Sequence, residues 1–199
     1  GGGFMPERRS ALVHCHKPGL YGATGAQGPA IELRELGPLS AVQVAAFDEE
    51  KAAEAIEAAI GVAPPRQRNR VASVGETSIL WTGPARWLVL EPEKRDLQAL
   101  LVAQCAIEIS AITDLSHART AIGIEGPAAR ALLSKLATLD FDVAAFPSGA
   151  CAQTQLGQIG ALIHCRAENA FDVLVFRGFA VSCWEAIADA ALEFGYRVA

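Results

Sequence analysis

The chain has 199 residues, of which 51% are hydrophobic and 20% are charged, a composition that excludes intrinsic disorder and suffices for a hydrophobic core. Its 22 acidic and 17 basic residues leave a formal net charge of −5, whereas nucleic-acid-binding proteins normally carry a basic face. No apolar run approaches the roughly 18 residues that a membrane-spanning helix needs. We therefore predict a protein without nucleic-acid or membrane partners.

Residues 1–18 are predicted to be a tag remnant and an N-terminal extension. Residues 1–4 precede Met5, the one methionine of the chain, and are interpreted as left from cloning. The apolar stretch that follows is too short for a signal-peptide core, and no Cys-x-x-Cys pair is present, so we expect a cytoplasmic protein. The cysteines are expected to be mostly small buried hydrophobic groups: Cys15, Cys105, Cys151, Cys165 and Cys183.

A segment rich in glycine and proline, residues 14–38, is predicted to be a loop. Gly22, Gly25 and Gly28 lack the spacing of a dinucleotide fingerprint, no strand is predicted before them, and Pro29 follows them. A loop is therefore favoured over a phosphate cradle.

A strand and a helix are predicted next. Residues 40–47 alternate as in a half-buried strand, and Asp48 is placed to cap a helix that ends at Gly61. Residues 66–70 contain three arginines without interleaved aromatic residues. We interpret this basic segment as a solvated loop, with a partner-docking patch as the alternative.

The middle of the chain is predicted to contain a hairpin, two helices and two strands. They are the hairpin strands 79–81 and 86–90 around the turn 82–85, a helix over 94–104, and strands over 107–112 and 120–124. Gly126 and Pro127 then open the second helix, because proline tolerates the first helical position. Its apolar stripe is Ala129, Leu132, Leu133 and Leu136.

Three strands and a last helix complete the chain, with strands over 151–156, 159–165 and 171–176 and a helix over 180–194 that ends at Gly195. The helical period places Trp184 inside as a core anchor. The predicted inner face is Val181, Trp184, Ile187, Ala188, Ala191 and Leu192, and the outer face is Glu185, Asp189 and Glu193. This order of elements predicts an α+β fold of mainly antiparallel sheet with packed helices.

Candidate chemical groups are few. His14, Cys15 and His16 could seat part of a metal site, but zinc takes about four ligands and no second cluster is visible. His164 and Cys165 are adjacent in a predicted strand, so their side chains point to opposite faces and do not form a thiolate pair.

A second candidate is the segment that contains Asp114, Ser116 and His117, which has the residue types of a catalytic triad. A triad is assembled from distant segments, and no Gly-x-Ser-x-Gly elbow is present. We interpret Asp114 and Ser116 as turn-forming residues between two strands. We therefore predict no catalytic, cofactor-binding or metal-binding residues in this chain.

The segment ITDLSH at 112–117, followed by IEGP at 124–127, resembles the aminomethyltransferase (glycine-cleavage T-protein) superfamily. That superfamily carries an Asp-Val-Ser-His stretch and a Gly-Pro-like helix start. More specifically, the chain from about Gly19 to Val198 resembles the gamma subunits of heterotetrameric sarcosine oxidases. Four segments carry this resemblance by their order and spacing: VQVAAF at 42–47, GPARWLV at 83–89, FPSGACAQT at 146–154 and FDV at 171–173.

The resemblance implies a folate-binding-domain-like fold over residues 19–199, within which the order of elements predicts two loosely similar α+β halves of about 38–110 and 111–199. It implies a subunit of a complex that demethylates sarcosine to glycine, with formation of hydrogen peroxide and transfer of the one-carbon unit to tetrahydrofolate. The implied partners are the alpha (large), beta and delta subunits. FAD, FMN, NAD and tetrahydrofolate are expected in those partners and none of them in this chain.

One departure from the superfamily concerns the Gly-Gly-Val-x-Asp-Asp turn, whose acidic residue serves the one-carbon chemistry of the transferases. The matching stretch, residues 160–165, has the sequence GALIHC and contains no carboxylate. A neutral imidazole or thiol does not replace a fixed anion beside a developing cation. The resemblance therefore favours a non-catalytic, scaffolding copy of the fold. The alternatives are a free-standing folate-binding or aminomethyltransferase-like protein and a generic assembly module.

Overall fold

Two β-sheets pack face to face, and each carries a pair of helices on its outer side, so that the fold has four layers. The computed structural model describes residues 9–23 and 28–199. The predicted tag remnant, residues 1–4, and Gly25 of the glycine motif lie outside the described residues.

The strands, in chain order, are β1 (Gly19–Tyr21), β2 (Ile31–Leu36), β3 (Leu39–Ala46), β4 (Val71–Val74), β5 (Thr77–Gly83), β6 (Arg86–Pro92), β7 (Ser110–Asp114), β8 (Arg119–Glu125), β9 (Cys151–Leu156), β10 (Ile159–Ala167), β11 (Ala170–Phe176) and β12 (Tyr196–Val198). The helices are α1 (Glu49–Ile60), α2 (Leu97–Gln104), α3 (Ala129–Leu136) and α4 (Ala180–Ala191), with a 3₁₀ turn at Arg177–Phe179. None of the helices in the described parts of the chain is long and apolar enough to cross a membrane.

One sheet has seven strands in the order β1-β12-β2-β8-β11-β10-β9, and the other has five in the order β4-β5-β6-β3-β7. Among the described strands, β12 and β2 run parallel and the other pairs are antiparallel. The α+β class with mainly antiparallel sheet and packed helices is therefore confirmed.

The layers follow from the alternation of side chains along the central strands. In β6, Trp87 and Val89 contact the core under α1 and α2, whereas Leu88 and Leu90 face the other sheet. In β11, Val173 lies under α3 and α4 and Leu174 faces the five-stranded sheet. These central strands have apolar residues on both faces because helices cover one face and the other sheet covers the opposite face. The described part of the chain therefore has three hydrophobic cores, one under each pair of helices and one between the sheets.

The first helix begins and ends where the sequence predicts. The Asp48 side chain accepts a hydrogen bond from the Lys51 amide at 3.2 Å, and Gly61 ends α1 in the left-handed conformation with φ of 90°. A non-glycine residue would be strained at that φ, so Gly61 marks the end of the helix.

The prediction of a continuous loop over 14–38 was wrong, because β1 and β2 lie within it. Ile31 and Leu33 alternate with charged residues as in a half-buried strand, and β2 pairs with β8, about 90 residues away. Gly22 does follow a strand, but a Cβ there would lie 2.2 Å from the Leu192 carbonyl oxygen. This glycine permits a close approach to the end of α4.

Other predicted boundaries shift by a few residues. The helix predicted from 94 begins at Leu97, after Asp96, whose carboxylate caps it by accepting from the Ala99 amide at 2.9 Å. The strand predicted over 107–112 is β7, which begins at Ser110 because residues 106–109 form a turn. The short strands β4 and β12 were not predicted from the sequence.

The last helix keeps its predicted core anchor but not all of its predicted face. Trp184 is 3% exposed, as predicted, and Ile187 and Ala191 are buried. Val181 and Leu192, predicted inside, are exposed. The buried set repeats at spacings of three and four from Ala180 instead: Ala180, Cys183, Trp184, Ile187 and Ala191.

Candidate functional site

Three clefts lined by described residues open around the small apolar core between the sheets, and the smallest, of about 400 Å³, contains Glu35 and Glu93 and is bordered by Arg119. The paired cleft, of about 920 Å³, contains an ion-pair network on the seven-stranded sheet: Arg34, His164, Arg166 and Asp172 with the adjoining Glu125. The arginine cleft, of about 580 Å³, lies between other parts of the two sheets and contains Arg86 from β6 and Arg119 from β8.

The network of the paired cleft runs across four neighbouring strands of the seven-stranded sheet, β2, β8, β11 and β10. Glu125 accepts hydrogen bonds from Arg34 at 2.5 Å and from Arg166 at 2.6 Å. Arg166 Nε also donates to Asp172 Oδ1 at 3.2 Å. Asp172 Oδ2 lies 3.5 Å from Nδ1 of His164, its register partner on β10. Each carboxylate thus faces two nitrogen groups.

These contacts set the acidity of Asp172. Burial alone would raise the pKa of this carboxyl, but His164 and Arg166 outweigh burial and hold its pKa below its usual range. At another wall of the cleft, the hydrogen bonds from Arg95 and Thr77 lower the pKa of the buried Glu91 in the same way. Asp172 and Glu91 are therefore held as anions by their fixed partners.

Gly123 of β8 gives Arg34 room to cross the strand. A Cβ at Gly123 would lie 3.1 Å from Cγ and 3.2 Å from Nε of Arg34. The absence of a side chain lets the arginine lie against the sheet and reach Glu125. Glycine at this inward position of β8 is therefore needed for the ion pair between Arg34 and Glu125.

The arginine cleft has a different charge balance. Arg86 and Arg119 contribute two positive charges, and none of its lining residues, all of which lie in the described ranges, is acidic. The Arg119 guanidinium stacks over the Phe176 ring, 3.8 Å from its centroid. The remaining polar wall consists of amides and hydroxyls: Gln43, Thr82, Gln153, Thr154 and Gln155.

The histidine pair of the N-terminal region does not form a metal site with other residues. His16 packs edge-on against Trp184, with ring centroids 5.2 Å apart, and the Cys15 thiol donates to the Leu12 carbonyl. Within residues 9–23 and 28–199, no group of three or more histidine, cysteine or acidic side chains is arranged to hold a metal ion. The structure therefore gives His16 a packing role.

The Asp114–Ser116–His117 segment forms a turn, as the sequence predicts. Asp114 accepts hydrogen bonds from the backbone amide and the hydroxyl of Ser116, and the same hydroxyl accepts from the Ala41 amide at 2.9 Å. His117 is exposed. These hydrogen bonds connect β7 to β3, so Ser116 has a structural role.

The buried thiols are poor nucleophiles. Cys165 lies in the apolar core while His164 faces the paired cleft, so they occupy opposite faces of β10, as predicted. Burial raises the pKa of Cys165, and it raises those of Cys151 and Cys183 to about 12. A thiol with a raised pKa stays protonated and unreactive near neutral pH.

Residues 160–165, where the resemblance places a reactive carboxylate, lie in β10. The nearby carboxylate is Asp172, on β11, and it is engaged by His164 and Arg166. Sequence reasoning missed the paired cleft and the arginine cleft, because their charged residues come from strands that are distant in sequence. The signal that could have found the paired cleft is the placement of Arg34, Glu125 and Arg166 at inward positions of otherwise apolar strands.

Comparison with known proteins gives the family. A family profile described as "Sarcosine oxidase, gamma subunit family" matches residues 44–193. The sarcosine oxidase subunit gamma of an Arthrobacter species is 32% identical over 188 residues, which cover 94% of this chain and 91% of the relative. The subunit gamma of Corynebacterium sp. (strain P-1) is 31% identical over the same shares of both chains.

Solved structures agree with this assignment. A chain of the heterotetrameric sarcosine oxidase from Corynebacterium sp. U-96 matches with a TM-score of 0.83 and 27% identity, over 94% of this chain and 96% of that chain. The glycine cleavage system aminomethyltransferase T from Bartonella henselae matches with a TM-score of 0.62 and 15% identity, over 80% of this chain and 45% of that chain. The second match shows a shared fold, and the resemblance drawn from the sequence is confirmed. The chain belongs to the sarcosine oxidase gamma subunit family.

Proposed function

We propose that this chain is a non-catalytic gamma subunit of a heterotetrameric sarcosine oxidase-like complex, an oxidoreductase. The complex would demethylate sarcosine to glycine, form hydrogen peroxide and pass the one-carbon unit to tetrahydrofolate. The observation that carries the proposal is the match to a chain of a heterotetrameric sarcosine oxidase over 94% of this chain, with a TM-score of 0.83. The family profile over residues 44–193 supports it independently.

The proposed partners are the alpha (large), beta and delta subunits, with residues 19–199 as the domain that joins them and residues 1–18 as an extension. FAD, FMN, NAD and tetrahydrofolate are proposed to reside in those partners. A cytoplasmic location is proposed as well. It is supported by the cysteines, which are all unpaired.

The chemistry of the clefts supports a non-catalytic role. In the paired cleft, each carboxylate of the network has fixed cationic or imidazole partners, so it is not free to act as a base. The buried thiols have raised pKa values. We therefore propose no catalytic, cofactor-binding or metal-binding residue in this chain.

The alternative, a free-standing folate-binding or aminomethyltransferase-like protein, has weaker support. The likeness to the aminomethyltransferase covers 45% of that chain at 15% identity. The likeness to gamma subunits covers more than 90% of both chains at about twice that identity.

Co-expression with the other three subunits tests the proposal directly. We expect a stable complex on size-exclusion chromatography that produces hydrogen peroxide from sarcosine. The interface with a larger subunit should bury at least about 1,600 Å² in total. Recovery of this chain as a separate, well-behaved monomer at micromolar concentration would contradict the proposal.

The isolated chain gives the matching control. We expect it to be colourless, inactive toward sarcosine and unable to bind tetrahydrofolate more tightly than the millimolar range. A flavin spectrum or peroxide formation by the lone chain would contradict the non-catalytic role. A micromolar folate affinity in calorimetry would favour the free-standing alternative.

A further inference from the structure

No acidic residue of the part of the chain that the structure describes lines the arginine cleft, although Arg119 also borders the smaller cleft that contains Glu35 and Glu93. Arg86 and Arg119 enter it from opposite sheets, and all of its lining residues, which the structure describes, are neutral or basic. The protein as a whole has a formal charge of −5, so the positive charge of this cleft is opposite in sign to the net charge of the chain. A local concentration of one sign at a cleft attracts a partner of the opposite sign.

Arg119 is the unusual group in this cleft. Its Nε is buried and has no hydrogen-bond partner, and Arg119 forms no ion pair with any residue of the described ranges. Burial lowers the pKa of its guanidinium, because the charged form loses part of its hydration. Removing a charge from water without a partner costs free energy.

Arg34 provides the internal comparison. Both arginines lie on inward positions of the seven-stranded sheet, on the neighbouring strands β2 and β8. Arg34 has Glu125 at 2.5 Å, whereas Arg119 has the face of Phe176. Among the described residues, the fold therefore gives Arg34 a carboxylate within hydrogen-bond distance and gives Arg119 none.

The rim of the arginine cleft is suited to a protein surface. Phe176 borders the cleft and is 49% exposed, and Phe179, three residues along the chain, is 53% exposed. Aromatic residues and arginine are enriched in the energetic centres of protein interfaces. Gln153 is fixed by a hydrogen bond from its amide to the Thr82 carbonyl, which ties the two walls together.

We propose that the arginine cleft docks an acidic segment of a neighbouring subunit, whose carboxylate pairs with Arg119 and Arg86. This inference rests on the proposed function, in which the chain is one subunit of a complex. The planar guanidinium of Arg119 presents donors in a fork that matches a carboxylate, and the stack on Phe176 holds the fork in place. Phe176 then provides apolar contact beside the ion pair.

Arg119→Gln tests the docking in the assembled complex. We expect the dissociation rate of this chain from the immobilised complex to rise about 30-fold or more, because the partner's carboxylate loses its half-buried partner and keeps only the exposed Arg86. Arg119→Lys should give an intermediate rate, since it keeps the charge and loses the planar fork. The melting temperature of the isolated Arg119→Gln chain should be unchanged or higher, because an uncompensated charge is removed. A merely structural arginine would instead lower it.

The matched control is Arg68→Gln, in the basic segment 66–70, which changes the charge equally at an exposed position. We expect its dissociation rate to change by less than about twofold. If Arg68→Gln releases the chain and Arg119→Gln does not, the basic segment is the docking site and our proposal is wrong.

Further outcomes distinguish the docking proposal from the proposed subunit function and from the binding of a small soluble carboxylate. If the wild-type chain assembles and Arg119→Gln dissociates at the wild-type rate, the docking proposal fails and the subunit function stands. If the wild-type chain forms no complex, both fail. A titration of the isolated chain with succinate tests whether the ligand of the arginine cleft is a small soluble carboxylate. Saturable, Arg119-dependent binding in the micromolar range would contradict the proposal that the ligand is a neighbouring subunit. Absence of such binding supports the proposal.

Discussion

The face of the seven-stranded sheet that carries α3 and α4 is apolar across its width, whereas the opposite face is apolar only in its middle. Phe171, Val173 and Val175 of β11 lie on the first face under the helices. On the second face of the same strand, Leu174 lies between Asp172 and Phe176, which border the paired cleft and the arginine cleft, respectively. One strand thus contributes both to a continuous core and to two polar openings.

The difference between the two faces separates stability from assembly. Apolar burial is non-directional and adds up with area, so the helical face can stabilise the fold without a specific geometry for each pair. Charged groups between sheets stabilise only when each finds a partner of opposite charge, as Asp172 does and as Arg119 does not within the described residues. At the arginine cleft, a second chain can supply a carboxylate as the partner of Arg119.

Trp184→Ala should lower the free energy of unfolding most, because it leaves a cavity in the core on the apolar face of the sheet. The side chain is 3% exposed and packs in the core between α4 and the sheet. We expect a loss of about 3–5 kcal/mol in the free energy of unfolding, measured by urea denaturation. A variant that unfolds like the wild type and yet fails to join the complex would place Trp184 in the interface and contradict this packing.

Asp172→Asn should have the next largest effect, because it breaks the network of the polar face. His164 and Arg166 would lose their shared anion in a partly buried place. Arg166 is about 38% exposed, so we expect a loss of about 2 kcal/mol, below that of a fully buried pair. Glu32→Gln, which removes the more exposed pair with Arg197 on the same sheet, is the control and should cost less than about 0.5 kcal/mol.

The sequence predicts the apolar face better than the polar one, for a physical reason. The strands β9 to β11 follow one another through short turns, and their alternation is visible within each segment. The cap at Asp48 and the stop at Gly61 are equally local. Such signals need no knowledge of what lies across the sheet.

The polar face depends on register between distant strands. Arg34 meets Glu125 because β2 pairs with β8, and β2 itself was not predicted, since its six residues lie within a segment rich in glycine and proline. Val181 was misplaced because a helical stripe starting at Ala180 or at Val181 contains Trp184 in either case. The sheet under α4 decides between the two, and the sequence of the helix does not contain that information.

The pH dependence of stability should sharpen the comparison. The folded pKa of Asp172 lies below its ordinary value of 3.8, so its contribution is present above that value and is lost as the pH falls through the folded pKa. The difference in unfolding free energy between the wild type and Asp172→Asn should therefore be constant near neutrality and shrink below about pH 4. A difference that stays constant down to pH 3 would show that the carboxylate gains nothing from its charge. Trp184→Ala should show no such convergence.

Glu185→Ala should have the smallest effect, and it completes the comparison on the helix that carries Trp184. Glu185 is the next residue along α4 and is exposed, so its side chain leaves the core contacts unchanged. Alanine is slightly the better helix former, which offsets any weak charge interaction that is lost. We expect the free energy of unfolding to change by less than about 0.5 kcal/mol in urea denaturation. A loss comparable to that of Trp184→Ala would mean that the outer side of α4 is also covered in the isolated chain, and the division between a buried and a solvated side of this helix would be wrong.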